Sequence, residues 1–467
     1  MFVFLEKLNA FVWGVPALML ILGVGIYLTI KTRFVQFRLF PRALCSFLKP
    51  VFGRGDDTDV EKKRALCTAL AATVGTGNLA GVAGAIALGG PGAIFWMWVC
   101  AFLGMVTKMA EATLAVRYRR RDEHGKAYGG PMYMILGSMK SRWHWLAYIY
   151  CFFGLVASFG VGNATQINTV ISSINTTLSD YGVAAGSILN LLIGIVLSVI
   201  IFRVLSGGVG AIGKAAERLI PPVSLFYILL SFVAILIRWR FVPGAFISIF
   251  RGAFSPMAFT GGAVGSLFVS LRVGAARGVF TNEAGMGTAA MAHATADVKE
   301  PLEQGLMGIV EVFIDTIVIC TATALVILCS GVEISYGKDL GIGLTTSAFT
   351  SIFGDWVGVF LSAALCLFAF ATVLGWGLYG MQCARFLFGA DSYKTFSILQ
   401  AAMVVIGSVV PTQVLWLMAE TVNGLMAIPN LIVLWHMIPD VSSLVDSYEK
   451  RHLHKQVPGS YSAGRMA

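Results

Sequence analysis

The chain has 467 residues, of which 57% are hydrophobic and only 12% are charged. Soluble domains carry about 25% charged residues, so this composition excludes a soluble enzyme or binding module and indicates an integral membrane protein. The net charge of +10 does not indicate a nucleic-acid partner, because Lys and Arg gather in connecting segments, as in membrane proteins generally. The eight cysteines occur singly, without a CxxC pair, and predict packing residues rather than disulfides or a metal site.

The apolar residues form about eleven segments, and a helix of about 20 residues crosses a bilayer. Because unpaired sheet edges are not tolerated in lipid, every segment is predicted to be helical and the chain an all-α membrane protein. The segments lie near 10–30, 66–87, 92–117, 146–175, 184–203, 219–238, 260–288, 304–330, 355–386, 395–410 and 412–437.

The basic residues predict how these helices are oriented. The connections at 31–65 and 117–145 are rich in Lys and Arg, and so is the chain after residue 440. If eleven helices alternate, these segments fall on one side, which the positive-inside rule assigns to the cytoplasm. Arg238, Arg240 and Arg251 are exceptions on the other side. We therefore expect the N-terminus outside and the C-terminus in the cytoplasm.

An odd number of helices fits one additional helix followed by two sets of five. Because five crossings reverse the direction of the chain, the two sets have opposite orientation, which is the inverted repeat of many carriers. This division predicts an N-terminal helix and basic connection at 1–65, repeats at 66–240 and 241–440, and a polar cytoplasmic tail at 441–467.

Glycine-rich interruptions occur in two of the apolar segments. The first is VGTGNLAG at 74–81, and the second spans 261–287 and contains LRVGAARG at 271–278. Broken helices persist in a membrane only where protein or a polar cavity satisfies the backbone, and such a pair points to the binding site of a secondary transporter. In the first interruption, Thr76 and Asn78 lie beside backbone that unwinds easily, and a helix N-terminus there suits a carboxylate.

Ionisable residues within membrane segments are usually paired and functional. Arg277 and Glu283 are predicted to form a structural ion pair or to anchor a helix end. Arg272 either binds a substrate carboxylate or pairs with an acid that holds the interruption in shape. Glu311 and Asp315 lie four residues apart on one helix face, so they either share a proton or pair with a base such as Arg272.

Three other apolar segments contain polar side chains. The run GVGNATQIN contains Gln166, which we expect to face a wet cavity, because three amides lie close together there. The run ATVLGWG contains Thr372 and Trp376 one turn apart, and the indole is placed to close a small pocket. Lys108 and Glu111 are three residues apart and look like a self-contained ion pair.

These stretches resemble the alanine or glycine:cation symporter family, also called sodium:alanine symporters. The motifs RGVFTNEAG at 277–285 and EVFIDT at 311–316 are the most specific. The resemblance covers about residues 10 to 440 and implies a LeuT-type fold with eleven helices. It also implies inward transport of a small neutral amino acid, alanine or glycine, together with sodium. The other matching runs are 68–84, 128–133, 162–168, 301–327 and 368–380.

The resemblance also implies which residues form the sites. With the free N–H groups expected at the first interruption, the substrate site comprises Thr76, Gly77, Asn78, Gln166, Gly274, Thr372 and Trp376. The sodium site comprises backbone carbonyls of Ala72, Thr73 and Gly75 and the Thr372 hydroxyl, since oxygen ligands suit a hard cation. The family often has Ser where this chain has Ala371, which removes one hydroxyl ligand.

We therefore predict a sodium-coupled symporter in a bacterial inner membrane, with an amino acid, sodium and the lipid bilayer as partners and no cofactor. Proton coupling through Glu311, Asp315 or Glu283 is the first alternative, and a receptor that binds an amino acid without transporting it is the second. An enzyme is not expected, because no catalytic constellation is visible. The sequence does not decide between alanine, glycine and serine, and it leaves the oligomeric state open.

Overall fold

The structure, a computed structural model, describes residues 2–52, 57–123, 125–183, 186–262, 264, 266–338, 341–410 and 412–452. These residues are almost all helical. A two-stranded antiparallel hairpin interrupts them, with β1 (Arg120–Arg121) paired to β2 (Ala127–Tyr128). The prediction of an all-α membrane protein agrees with this architecture.

The first half of the chain contains α1 (Phe2–Val12), α2 (Val15–Lys31), α3 (Val35–Arg38), α4 (Phe40–Phe52), α5 (Asp57–Thr73), α6 (Val82–Gly89), α7 (Gly92–Arg117), α8 (Pro131–Ser138), α9 (Trp145–Phe159), α10 (Thr165–Asp180), α11 (Ser187–Ser206) and α12 (Gly208–Ile237). π-helical turns at Gly77–Gly81 and Gly160–Ala164 lead into α6 and α10, and 3-10 turns lie at Ser141–Trp143 and Trp239–Phe241.

The second half contains α13 (Val242–Phe254), α14 (Met257–Thr260), α15 (Leu267–Asn282), α16 (Thr288–His293), α17 (Pro301–Val312), α18 (Thr321–Cys329), α19 (Gly341–Phe353), α20 (Trp356–Phe388), α21 (Ser392–Gly407) and α22 (Thr412–His452). A π-helical segment at Phe313–Cys320 joins α17 to α18. Proline lies inside α22 at two positions, Pro429 and Pro439.

Within the described residues, eight helices are long and apolar enough to cross a membrane, and nine if a bent pair counts as one span. The bent pair joins Val60–Thr73 to Gly77–Gly89 at an angle of 42°. Two more of the predicted apolar segments are helical in α15 and α21, which have 16 residues each. All eleven predicted segments therefore contain helix, and the number of crossings stays a prediction.

The first break is the turn at residues 74–76, between α5 and the π-helical turn. The backbone N–H of Gly75 has left the helical pattern and donates to the Asn78 Oδ1 atom at 2.8 Å. A Cβ atom on Gly75 would lie 2.5 Å from the Thr372 Oγ1 atom, so the backbone can approach α20 only because the residue is glycine. The sequence predicted this break at its observed place.

The second break lies at residues 283–287, between α15 and α16. Glu283 has a φ of 57°, Gly285 of 90° and Gly287 of 74°, which are left-handed conformations that end a helix. This break lies within the predicted interruption at 261–287, but the run at 271–278 is not interrupted, because α15 is continuous there. Gly274 instead lies against Ala93 and Trp96 of α7, where a small residue allows two membrane helices to pack closely.

Two of the three predicted domain boundaries fall inside α-helices, whereas the boundary between residues 240 and 241 falls in the 3-10 turn between α12 and α13. Residue 65 lies within α5, and α22 continues past residue 440 to His452. Val441, Val445 and Tyr448 are buried, so residues 441–452 form a packed helix rather than the predicted polar tail. The remainder of that tail, 453–467, lies outside the described residues.

The packing of the helices brings the two breaks together. α7 lies against α15 and α17, whereas α20 lies against α5, α9 and α10. The π-helical turn that follows the first break packs against α15, the helix that precedes the second. Both breaks therefore face the centre of the bundle, where α20 passes beside them.

Candidate functional site

A small cavity lies where the two breaks meet. Its volume is about 10 Å³, which is the space of roughly one water molecule. A free amino acid does not fit this space, so the walls must move apart to admit one. The lining residues are Ala72, Thr73, Gly75, Thr76, Gly77, Val161, Gln166, Phe280, Glu283, Thr372 and Trp376.

One wall of the cavity is a hydrogen-bonded contact between the first break and α10. The Thr76 hydroxyl donates to Gln166 Oε1 at 2.7 Å, and the Gln166 Nε2 atom donates to the Val161 carbonyl at 3.0 Å. Both side chains are buried. The Gln166 amide therefore has a fixed orientation, with its oxygen directed at the first break.

The end of α5 and the middle of α20 form the second wall. Thr372 donates its hydroxyl hydrogen to the Ala71 carbonyl at 2.9 Å. Ala72 lies directly against Gly375 of α20, where a Cβ atom would come within 2.9 Å of it. The four residues predicted to bind sodium thus lie together, and Ala71 adds a carbonyl that the sequence analysis did not select. Such oxygens fit a hard cation.

Trp376 closes the cavity on the α20 side. Its side chain packs so closely on Gly162 that a Cβ atom there would overlap the indole. Glu283 lines the same cavity, and its carboxylate accepts from the Thr288 hydroxyl at 2.8 Å. The close packing on Gly162 therefore fixes the position of the tryptophan ring.

Asn78 faces away from the cavity. Its Oδ1 atom accepts the Gly75 N–H, and its Nδ2 atom donates to Asp315 Oδ1 at 2.7 Å and to the Asp315 carbonyl at 3.2 Å. The other carboxylate oxygen of Asp315 accepts from the Thr316 hydroxyl at 2.8 Å. Asn78 was predicted to contact the substrate, but in this structure it braces the first break against the π-helical segment that contains Asp315.

The buried charges pair differently from what the sequence suggested. Glu311 forms salt bridges with Lys108 at 3.2 Å and with His293 at 2.9 Å, and not with Arg272. The prediction that Lys108 pairs with Glu111 is wrong, because the Glu111 Oε1 atom accepts from the Gly287 N–H and from Asn430. Lys108 and Glu111 therefore each pair with groups on other segments rather than with each other.

Arg277 and Arg272 also lie outside the cavity wall. Arg277 pairs with Glu420 at 3.0 Å, and its guanidinium lies 5.2 Å from the centroid of the Trp416 ring. Arg277 does not form the ion pair with Glu283 that the sequence analysis predicted. Arg272 is only partly buried on α15, and the described partners of Glu311 and Asp315 do not include it.

Two residues that line the cavity were not selected from the sequence. Val161 is an apolar residue of the run GVGNATQIN, and Phe280 lies within the motif RGVFTNEAG. The Phe280 ring also packs against Trp416, with the centroids 5.2 Å apart. The position of Phe280 inside that motif was the sequence signal that could have identified it. Val161 gives no such signal, because nothing in the sequence distinguishes it from other apolar residues.

A helical membrane protein whose broken helices meet at a buried polar cavity is of the secondary transporter class, in which such breaks line the binding site. The family model agrees with this class. The chain belongs to the sodium:alanine symporter family, whose model matches residues 2–461. The family predicted from the sequence motifs is thus confirmed, and it is a family of transporters rather than enzymes.

Two relatives cover nearly the whole chain. The sodium/alanine symporter AgcS of Methanococcus maripaludis is 41% identical over 437 residues, which are 91% of this chain and 92% of AgcS. The probable sodium/glutamine symporter GlnT of Bacillus subtilis is 34% identical over 445 residues, which are 95% of this chain and 90% of GlnT. Their names give different substrates, so membership of the family does not identify the substrate.

A solved structure confirms the fold. The crystal structure of MhsT in complex with L-phenylalanine aligns with a TM-score of 0.57 and 15% identity, and the alignment covers 82% of this chain and 97% of MhsT. At this identity the similarity establishes the fold alone. The predicted LeuT-type architecture is therefore confirmed, whereas eleven crossings and the five-plus-five repeat stay predictions.

Proposed function

We propose that this secondary transporter is a sodium-coupled symporter that carries alanine or glycine into a bacterial cell across the inner membrane. The observation that carries the proposal is the convergence of the four expected sodium residues and five of the seven expected substrate residues on one buried cavity between the broken helices. The family and the relative AgcS support the same conclusion.

The cavity has one part suited to the carboxylate of an amino acid and another part suited to its ammonium group. The backbone N–H groups of Thr76 and Gly77 lie at the start of the second half of the first broken helix, where the helix dipole favours a carboxylate. The C-terminal end of α15 contributes Phe280 and Glu283 to the cavity lining, and there the dipole favours a cation. We place the substrate ammonium beside these two residues.

The size of the cavity argues for a small side chain. Trp376 and Phe280 fill the space that a side chain would occupy, and Gly162 leaves no room for the indole to retreat. A methyl group or a hydrogen requires the smallest displacement of these rings, because packed interiors resist added volume. Alanine and glycine are therefore favoured over larger neutral amino acids.

Sodium is proposed to bind between α5 and α20. The Thr372 hydroxyl and the carbonyls of Ala72, Thr73 and Gly75 would coordinate it, with the Ala71 carbonyl as an additional ligand. The Thr372 hydroxyl now donates to the Ala71 carbonyl, so both oxygens are already adjacent. An ion that bridges these helices would hold the first break against α20 and so couple ion binding to the closure of the substrate site.

Proton coupling on the same scaffold is the second candidate. Among the described residues, Glu111, Glu283 and Asp315 are fully buried carboxyl groups whose contacts are hydrogen bonds rather than salt bridges. A buried carboxylate without a cation is costly, so such a group either holds a proton or faces a bound cation. Glu283 lines the cavity and is the first of the three to test.

The deciding experiment is uptake of labelled alanine into proteoliposomes that contain the purified protein. A sodium gradient alone is compared with a proton gradient alone, and empty vesicles serve as the control. We expect accumulation with sodium alone. Accumulation with protons alone would reject sodium coupling and transfer the coupling role to the buried acids, and no accumulation of alanine or glycine under either gradient would reject the proposed substrate.

A further inference from the structure

The second break is held by side chains from other helices. The Asn282 carbonyl accepts from Lys108 at 3.0 Å, and the Gly287 N–H donates to Glu111 at 3.0 Å. A backbone that leaves the helix inside a membrane needs such partners, since no water is present to replace them. The neighbouring carbonyls of Gly285 and Met286 accept from Asn430 at 2.9 Å and from Tyr150 at 3.1 Å, respectively.

The two charged partners come from one turn of α7. Lys108 and Glu111, which we call the α7 pair, are three residues apart and lie on one face of the helix. Lys108 contacts the last residue of α15, where a positive charge complements the negative end of the helix dipole. Glu111 contacts the last residue of the second break. The α7 pair therefore holds both ends of the break from a single rigid element.

The burial of the α7 pair is complete. Lys108 is 1% exposed and Glu111 is 0% exposed. Lys108 also forms the salt bridge with Glu311, which in turn contacts His293, and Gln304 completes the chain at 2.8 Å from His293. Ionised groups at this depth are costly, and where they occur in membrane segments they usually serve a function.

The position of the second break fixes part of the cavity wall. Glu283 is the first residue of the break, and Phe280 lies one turn earlier on α15. Both line the cavity. A displacement of the break would therefore move the wall that faces the proposed ammonium group.

We propose that Lys108 and Glu111 are positioning residues for substrate binding. They do not contact the cavity, but they hold the second break in the conformation that presents Phe280 and Glu283 to it. The measurement of alanine transport described below rests on the proposed function, whereas the measurement of backbone hydrogen exchange does not. The competing explanation is that Lys108 only neutralises Glu311 and that Glu111 only fills space.

Glu111→Met and Glu111→Gln separate hydrogen bonding from volume. Both variants preserve approximately the size of the side chain, but only Gln retains an oxygen that accepts the Gly287 N–H. Hydrogen–deuterium exchange of that N–H is measured by mass spectrometry, with Thr107→Val as a control, since the Thr107 hydroxyl bonds only within its own helix, to the Leu103 carbonyl.

We expect exchange at Gly287 to accelerate about 10- to 100-fold in Glu111→Met, the loss expected for a hydrogen bond to a charged group. Glu111→Gln should retain part of the protection, and Thr107→Val all of it. Equal protection in wild type and Glu111→Met would overturn the role of Glu111, whatever the protein transports.

The double variant Lys108→Met/Glu311→Gln tests Lys108. It removes the buried ion pair without leaving an unpaired charge, and removing one partner alone would be strongly destabilising. The Asn282 carbonyl nevertheless loses its donor. We expect the KM for labelled alanine to rise at least about tenfold relative to wild type.

A KM equal to that of wild type would show that Lys108 only neutralises Glu311, and would overturn its positioning role. If the double variant does not reach the membrane, the same comparison is made by exchange at residues 283–287 in Lys108→Arg, which keeps the charge but changes the reach of the donor. Unchanged exchange there would also overturn the proposal. Failure of every variant and of wild type to transport alanine would instead reject the proposed substrate.

Discussion

The two breaks solve the same physical problem in different ways. In the first break, the Gly75 N–H finds its acceptor three residues later in the same segment, on Asn78. In the second, the Asn282 carbonyl and the Gly287 N–H find their partners on α7, far away in the sequence. The first break is therefore encoded mainly by its own residues, whereas the second depends on the packing of other helices.

The backbone differs as well. The second break contains three left-handed residues, but the described first break contains none. The first is instead limited by space, because α20 lies directly against Gly75. Substitution of glycine should therefore damage the two breaks for different reasons, and the predictions below use that difference.

The largest effect is expected for Gly287→Ala. The left-handed φ of 74° costs a residue with a Cβ atom roughly 1–2 kcal/mol, and the new methyl group would also overlap Pro131 and Asn430. We expect little protein in the membrane and a thermal unfolding midpoint lowered by several degrees. Gly331→Ala is the control, since its φ is 82° but nothing lies within 4 Å of a Cβ atom. Equal damage in both would assign the effect to backbone strain alone.

Gly75→Ala should inactivate transport but leave the fold intact. The methyl group would meet the Thr372 hydroxyl at 2.5 Å and push the first break away from α20, where sodium is proposed to bind. We expect uptake to fall by at least about 100-fold, the scale of a displacement of about 1 Å. Gly81→Ala is the matched control, because its Cβ atom would lie at an ordinary 3.6 Å from Thr281. Normal uptake by Gly75→Ala would show that this contact is not needed.

Trp376→Ala should enlarge the cavity where α20 meets the second break. We expect leucine and phenylalanine to compete about tenfold better for alanine uptake, the discrimination that one or two methylene groups provide in an apolar pocket. Trp435→Ala is the control, since that side chain is 48% exposed. Unchanged competition in Trp376→Ala would remove this residue from the pocket wall.

Thr372→Val should have the smallest effect, a higher sodium requirement with unchanged folding. The substitution keeps the shape but removes one proposed oxygen ligand and the hydrogen bond to Ala71. We expect the sodium concentration for half-maximal uptake to rise about tenfold, because the loss of one hydrogen-bonding oxygen has an effect of this order. Thr346→Val is the control, because its hydroxyl bonds only within its own helix. A sodium dependence equal to wild type would exclude Thr372 as a ligand.

The candidate site was predictable where the signal is local. Five residues were selected from glycine, amide, hydroxyl and indole groups in apolar runs and from the family motifs, and all of them line the cavity: Thr76, Gly77, Gln166, Thr372 and Trp376. Asn78 and Gly274 were placed wrongly, because a sequence does not show which face of a segment meets its neighbour.

Hydropathy and glycine placement by themselves determined that the chain is a helical membrane protein with a break at residues 74–76. These signals are local, since a bilayer fixes the length and polarity of each span. Only the tertiary structure decided that the second break lies at 283–287 and that Lys108 and Glu111 hold it. A backbone N–H or C=O inside the membrane forms its hydrogen bond with a group that the packed helices bring within about 3 Å. Which group this is depends on the packing of the whole bundle.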